Sequence, residues 1–169
     1  MSWAPVTPHT FAALDDLGVA SNLNTWVTSP ITNLNTGFGS ATSYSATLTA
    51  ATTNPTGTYT TTSYYVMNGN LCKVWLNLSI TGAFTAGSGI YSLSLPPGIT
   101  SAITGYVVGG GKVTAGTTTA SIQAILATSS TVRFEYPNAL TTFASVTNAA
   151  PGAWTSGNSL YSYIEYPVA

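Results

Sequence analysis

Between Ser63 and Thr81 the chain reads Ser-Tyr-Tyr-Val-Met-Asn-Gly-Asn-Leu-Cys-Lys-Val-Trp-Leu-Asn-Leu-Ser-Ile-Thr. In its second half Cys72, Val74, Leu76, Leu78 and Ile80 fall on every other position, the period of a strand with one buried face. Asn68-Gly69 lies between two β-prone runs and readily supplies the positive φ angles of a two-residue type I′ turn. A hairpin with that loop sets Met67 opposite Asn70, Tyr65 opposite Cys72 and Tyr64 opposite Lys73. One face then joins Tyr65 to the aliphatic row. The other carries Tyr64, Val66, Leu71 and Trp75, too apolar to face water, so Trp75 is expected against a neighbouring subunit or the opposite sheet.

From Ala41 onward the pattern stays β. Strands are predicted over 44–49, 58–67, 71–81, 89–95, 104–109, 118–127, 131–136, 140–147 and 159–166. Turn signals separate most of them: Asn54-Pro55-Thr56-Gly57, Asn68-Gly69, Ala86-Gly87-Ser88-Gly89, Pro96-Pro97-Gly98 and Ala150-Pro151-Gly152. Many short strands at this spacing predict an all-β, antiparallel β-sandwich of jelly-roll-like form and not a βαβ fold. Ala120, Ile122, Ala124 and Leu126 make one alternating face, and Val132, Phe134 and Tyr136 another. The closing run Leu160-Tyr161-Ser162-Tyr163-Ile164-Glu165-Tyr166 is apolar or aromatic on both faces, like the hairpin. Strands with two sticky faces fit a subunit interface around a symmetry axis, which adds Tyr161 and Tyr163 to Tyr64, Val66, Leu71 and Trp75 as interface residues.

Residues 1–37 follow other rules. Pro5 and Pro8 bias their predecessors toward extended backbone. Leu23, Trp26, Val27, Ile31 and Leu34 recur at helical spacing, with Ser21 placed to cap the start and Pro30 interrupting. Ser29-Pro30 would suit the N-cap and first position of a second turn, so one kinked or two short helices are expected. Gly37-Phe38-Gly39-Ser40 reads as a linker. The chain thus divides into an N-terminal segment, 1–37, and a β-sandwich domain, 38–169. The segment either closes the bottom of the β domain or docks it elsewhere.

Composition changes the picture in one respect. Only 4% of residues are charged, against about 25% in ordinary soluble domains. The surface must therefore be built from Thr, Ser, Asn, Gln and Gly, which suits either outward strand positions or a particle whose subunits cover one another. Hydrophobic residues make up 44% and aromatics 11%, too much apolar matter for a disordered chain. Net charge is −1 with three cations, Lys73, Lys112 and Arg133, too few and too scattered to displace counterions along a nucleic acid. Cys72 is the single cysteine and falls on the inward face of its strand, as a core residue. No signal-peptide pattern opens the chain and no apolar run approaches a membrane span, so synthesis in a cytoplasm without export and without membrane contact is expected.

Candidate chemistry is sparse. His9 is the one histidine, which leaves no His-rich metal site. Asp15-Asp16 suit a helix start and alone supply too few oxygens for calcium. Glu135 and Glu165 read as strand-surface partners for Arg133 or Lys112 more readily than as the acid pair of a glycosidase. Gly109-Gly110-Gly111-Lys112 lacks the spacing, the following Ser or Thr and the helix of a phosphate loop, and is read as a flexible loop or bulge. Asn77-Leu78-Ser79 fits a glycosylation sequon but lies within a strand. No catalytic group, metal site or cofactor is expected.

Two stretches resemble parts of virion proteins of tailed bacteriophages. Thr7-Pro8-His9-Thr10-Phe11, Val19-Ala20-Ser21-Asn22-Leu23-Asn24-Thr25-Trp26 and Thr32-Asn33-Leu34-Asn35 are similar to a module that opens small phage structural proteins, although Ser29 and Pro30 stand where an Arg-Asp pair is usual. Tyr64-Tyr65-Val66-Met67-Asn68-Gly69-Asn70-Leu71 with Gly89-Ile90-Tyr91-Ser92-Leu93-Ser94-Leu95-Pro96 resembles β domains of phage head fibres, capsid decorations and tail fibres. The resemblance implies a non-enzymatic structural protein on the virion surface, a homotrimer of β-sandwiches docked on a major capsid protein or another virion protein. Trp3, Phe11, Leu14, Leu23, Trp26 and Leu34 would do the docking. The alternative is a tail-fibre or tail-tip module that recognises a host surface glycan, with Tyr106, Tyr136, Tyr161, Tyr163 and Trp154 as candidate contacts.

Overall fold

The computed structural model describes residues 40–169, and Gly39–Ala169 forms a compact unit of its own. The expected helix and the docking residues Trp3, Phe11, Leu14, Leu23, Trp26 and Leu34 lie outside the described residues. Within them the fold is all-β: β1 (Thr42–Tyr44), β2 (Leu48–Ala50), β3 (Thr56–Thr61), β4 (Ser63–Asn68), β5 (Leu71–Thr85), β6 (Tyr91–Ser94), β7 (Val107–Ala115), β8 (Thr118–Thr128), β9 (Thr131–Ala139), β10 (Thr142–Ser145) and β11 (Ser159–Pro167).

All ladders between these strands are antiparallel, and they join the strands in the order β1-β4-β5-β11-β7-β8-β9-β6-β2, with β3 added to β5 and β10 to β9. The first and last strands of that path, β1 and β2, are consecutive in the chain. Only Ser45, Ala46 and Thr47 separate them. Three residues span at most about 10 Å, so the sheet has to curl until its two ends meet, as a sandwich-like fold closed at this corner. Ser94 of β6 seals the corner, taking a bond from the Thr47 amide on its hydroxyl (2.9 Å) and giving its own amide to the Thr47 carbonyl (3.0 Å).

Inward positions fill the curl. The aliphatic row of β5 meets Leu160, Ile164 and Tyr166 of β11, Val113 of β7, Leu126 of β8, Val132 and Phe134 of β9, and Tyr91 and Leu93 of β6. Each such side chain contributes on the order of 1.5–3 kcal/mol through burial. Cys72 is fully buried among them, and burial pushes its thiol pKa up, so it acts as a small hydrophobe.

Several boundaries depart from expectation. The run 44–49 is split into β1 and β2 by the corner, and 58–67 breaks at Thr62, whose amide still bonds the Asn77 carbonyl at 2.9 Å. The hairpin loop is Gly69-Asn70, with Gly69 at φ 59°, so Asn68 faces Leu71, Met67 faces Cys72, Tyr65 faces Val74 and Tyr64 faces Trp75. Each strand moved by one residue, so the pairing slid by two and every side chain kept its face. The larger correction concerns Gly109-Gly110-Gly111-Lys112. These residues are no loop: they lie inside β7, hydrogen-bonded on one side to β11 and on the other to β8, with an irregularity only between Val107 and Gly109.

Candidate functional site

Strand parity builds the site. On β5 the odd-numbered residues point away from the core, and on β11 Tyr161, Tyr163 and Glu165 do so. Register then aligns these positions in rows across the sheet. One row runs Tyr64–Trp75–Tyr163–Gly110 through β4, β5, β11 and β7. The next runs Asn77–Tyr161–Lys112, and on the other side lies Val66–Lys73–Glu165. Leu71 closes the face beside Pro167. The six residues expected at an interface, Tyr64, Val66, Leu71, Trp75, Tyr161 and Tyr163, therefore share one outward face.

Trp75 is 44% exposed, Tyr64 44%, Tyr161 49% and Tyr163 38%. In the single chain Trp75 thus meets water as well as Tyr163, its ring centroid 5.3 Å from the tyrosine's with the planes tilted by 50°. The opposite sheet is not its partner, because the whole thickness of β5 lies between them. Tyr163 donates its hydroxyl to Glu165 Oε2 at 2.8 Å, and Lys73 Nζ stands 3.6 Å from the same oxygen. Desolvation, with this carboxylate beside it, raises the Tyr163 pKa, so its hydroxyl remains a neutral donor at physiological pH.

The glycine run shapes the floor. A Cβ at Gly109 or Gly111 would overlap the carbonyl oxygen of Tyr163 or Tyr161 respectively, both backbone atoms of β11. The approach of β7 to β11 therefore admits glycine alone at these two positions. Gly110, in the outward row of Tyr163, leaves β7 bare beside the tyrosines, and a groove of about 500 Å³ opens there. Thr62, Tyr64, Trp75, Asn77, Lys112 and Tyr161 are among its walls. Sequence reasoning found the aromatic walls and missed the floor, since a glycine triplet carries the same local signal in a loop as in a strand pressed against its neighbour.

Of the other charged groups among the described residues, two pair with each other on β9. Arg133 pairs with Glu135 at 3.4 Å, and Gln123 Nε2 donates to Glu135 at 3.0 Å. Lys112 has no ion pair among the described residues, and it sits at the groove.

Of the five aromatics expected on a glycan, Tyr161 and Tyr163 lie together at the groove, and Tyr106, Tyr136 and Trp154 do not join them. Trp154 is 3% exposed, its indole nitrogen donating to the Thr147 carbonyl at 2.9 Å and its ring edge-on to Tyr91 with centroids 5.4 Å apart. It is a core residue, corrected from a surface platform, because the loop after β10 folds it inward. Tyr136 is half-buried against the core as well. Of these three Tyr106 alone is well exposed, just before β7. No protein-family profile, curated protein or solved structure matches the chain.

Proposed function

We propose that the chain is a non-enzymatic structural protein of a tailed-bacteriophage virion surface, whose β domain assembles as a homotrimer through the aromatic face of β4, β5 and β11. In this reading residues 1–37 carry it to a major capsid protein or another virion protein. The observation that supports it is the placement of Tyr64, Trp75, Tyr161 and Tyr163 on one outward face of strands that sit in the middle of the sheet. An aromatic side chain carries about 150–250 Å², so at their fractional exposures the four leave roughly 350 Å² of apolar surface in water. A stable interface buries about 800 Å² per partner, somewhat over half of it apolar. One side chain cluster thus supplies most of the apolar share of one side of such an interface. Few charges oppose the contact: Lys73 and Glu165 neutralise each other, and Lys112 at the groove is the one cation without an ion pair among the described residues.

Glycan recognition, the alternative, keeps Tyr106, Tyr161 and Tyr163 at the surface, the last two in the aromatic groove, whereas Trp154 and Tyr136 support the core. Sedimentation velocity on the full chain tests the self-association. The expected wild-type mass is three times the 17.4 kDa chain, and Trp75→Ser is expected to shift the population to monomer without unfolding it. A wild-type chain that remains monomeric at tens of micromolar refutes the trimer, and particles that incorporate the chain equally well without residues 1–37 refute the docking role.

A further inference from the structure

A closed threefold ring is made of heterologous contacts, in which one surface of a copy meets a different surface of the next. This inference rests on the homotrimer proposed above. If that reading holds, only groups on the threefold axis meet their own copies, and a groove set off the axis meets a second surface of the next chain. The exposed large hydrophobics among the described residues are few: the four groove aromatics, Tyr106 with Val107, and Leu140 with Phe143. Tyr106 and Val107 stand at the start of β7, the strand whose later residues floor the groove. Leu140 and Phe143 stand apart, on the β9–β10 hairpin at the other flank of the sheet.

That hairpin is unusual in its chemistry. Thr142 pairs with Ala139, so Leu140 and Thr141 form its two-residue loop. A register irregularity follows at Thr142/Phe143, and Leu140 is 105% exposed, so no contact within its own fold accounts for an apolar side chain there. Thr142 Oγ1 donates to Asn138 Oδ1 at 2.7 Å across the base of the loop and fixes the protrusion in place. Phe143, 53% exposed, follows directly. The hairpin tip carries no charge from Tyr136 to Thr147, so no ion would be buried unpaired with it.

We infer that the β9–β10 hairpin of one copy seats Leu140 and Phe143 in the groove of the next, against Trp75, Tyr161 and the bare backbone of Gly110 and Gly111. The two residues expose roughly 250 Å² of apolar surface. Added to the groove aromatics this gives roughly 600 Å², close to the apolar share of the smaller stable interfaces. Gly110 then has a use beyond strand packing, because a side chain there, in the outward row of Tyr163, would stand in the space the knob enters.

Short bismaleimide cross-linking tests it, with one chain carrying Asn77→Cys in the groove and another carrying Leu140→Cys on the knob. Cys72 is fully buried and stays silent. Covalent dimers are expected only when the two chains are mixed. Asn77→Cys chains that cross-link with themselves would show groove meeting groove and overturn the inference, as would a mixture that gives no product while the wild type sediments as an oligomer. As a second measure, Leu140→Asp with Phe143→Ser should weaken association by at least about tenfold. An unchanged oligomer in that variant overturns the knob and leaves the trimer standing, whereas a monomeric wild type removes both.

Discussion

Alanine at Gly111 would place its Cβ over the carbonyl oxygen of Tyr161 and 2.7 Å from the Cα of Ser162. Both belong to the backbone of β11, which is hydrogen-bonded to β5 and β7 at once, so no side chain can rotate out of the way. Relieving the overlap to ordinary van der Waals distance requires the two strands to part by more than about 1 Å at this point, which loses about two ladder hydrogen bonds. Each contributes about 1 kcal/mol net, and an amide left buried without a partner costs about 1–3 kcal/mol more. Gly111→Ala is therefore expected to destabilise the domain by roughly 3 kcal/mol. Gly110→Ala is the control within the same triplet: its Cβ would meet only the Ile122 carbonyl oxygen, at 3.1 Å. A displacement of a few tenths of an ångström relieves that, at a cost under about 1 kcal/mol. Urea unfolding of the full chain followed by circular dichroism measures both, and melting should fall by roughly 6–12 °C for Gly111→Ala. Equal losses for the two variants, or a larger loss for Gly110→Ala, would refute the close approach of β7 to β11 and the groove built on it.

Two further perturbations follow from the core. Burial pushes Tyr91 up to about 12 and raises Tyr44 and Tyr166 further; a raised folded pKa means stability fully present below pH 10 that is lost as pH climbs through the folded value. Each buried tyrosine then costs about 1.4 kcal/mol per pH unit above 10, so a cooperative loss of structure between pH 10 and 12 is expected in a pH titration by near-ultraviolet absorbance, and a fold unchanged at pH 12 contradicts the burial. Trp154→Ala should cost about 3–5 kcal/mol and Trp154→Phe about 1–2 kcal/mol through the orphaned Thr147 carbonyl, as read by urea unfolding; values within about 0.5 kcal/mol of wild type would return Trp154 to the surface.

Much of this architecture was legible in the alternation of residue types, and what was not shares a cause. The inward row from Cys72 to Ile80 and the outward set of Tyr64, Val66, Leu71 and Trp75 follow from period two alone, which is why they survived a hairpin loop that sits one residue further on. Parity is robust because the pairing slid by two, an even number. Trp154 and the glycine triplet were misread because their environments are made by segments distant in sequence. Thr147 and Tyr91 enclose the indole, and β11, some fifty residues downstream, dictates the glycines of β7. No local window contains either partner.

The same distinction explains why the aromatic face reads as a contact surface and not as an accident of composition. Within a closed sandwich, an outward strand position has no obligation to the core, and this chain fills most such positions with Thr, Ser or Asn: Thr58 and Thr60 on β3, Thr119 and Ser121 on β8. Tyr64, Trp75 and Tyr163 depart from that habit at laterally adjacent positions on three strands and Tyr161 does so in the next row, and Gly110 beside Tyr163 puts no side chain into the space. Scattered single departures need no explanation in any protein surface. Four departures in two adjacent rows, beside a glycine that leaves the floor open, are what the proposed contact would explain, and the exposed apolar knob that would fill it is the leucine at the tip of the β9–β10 hairpin.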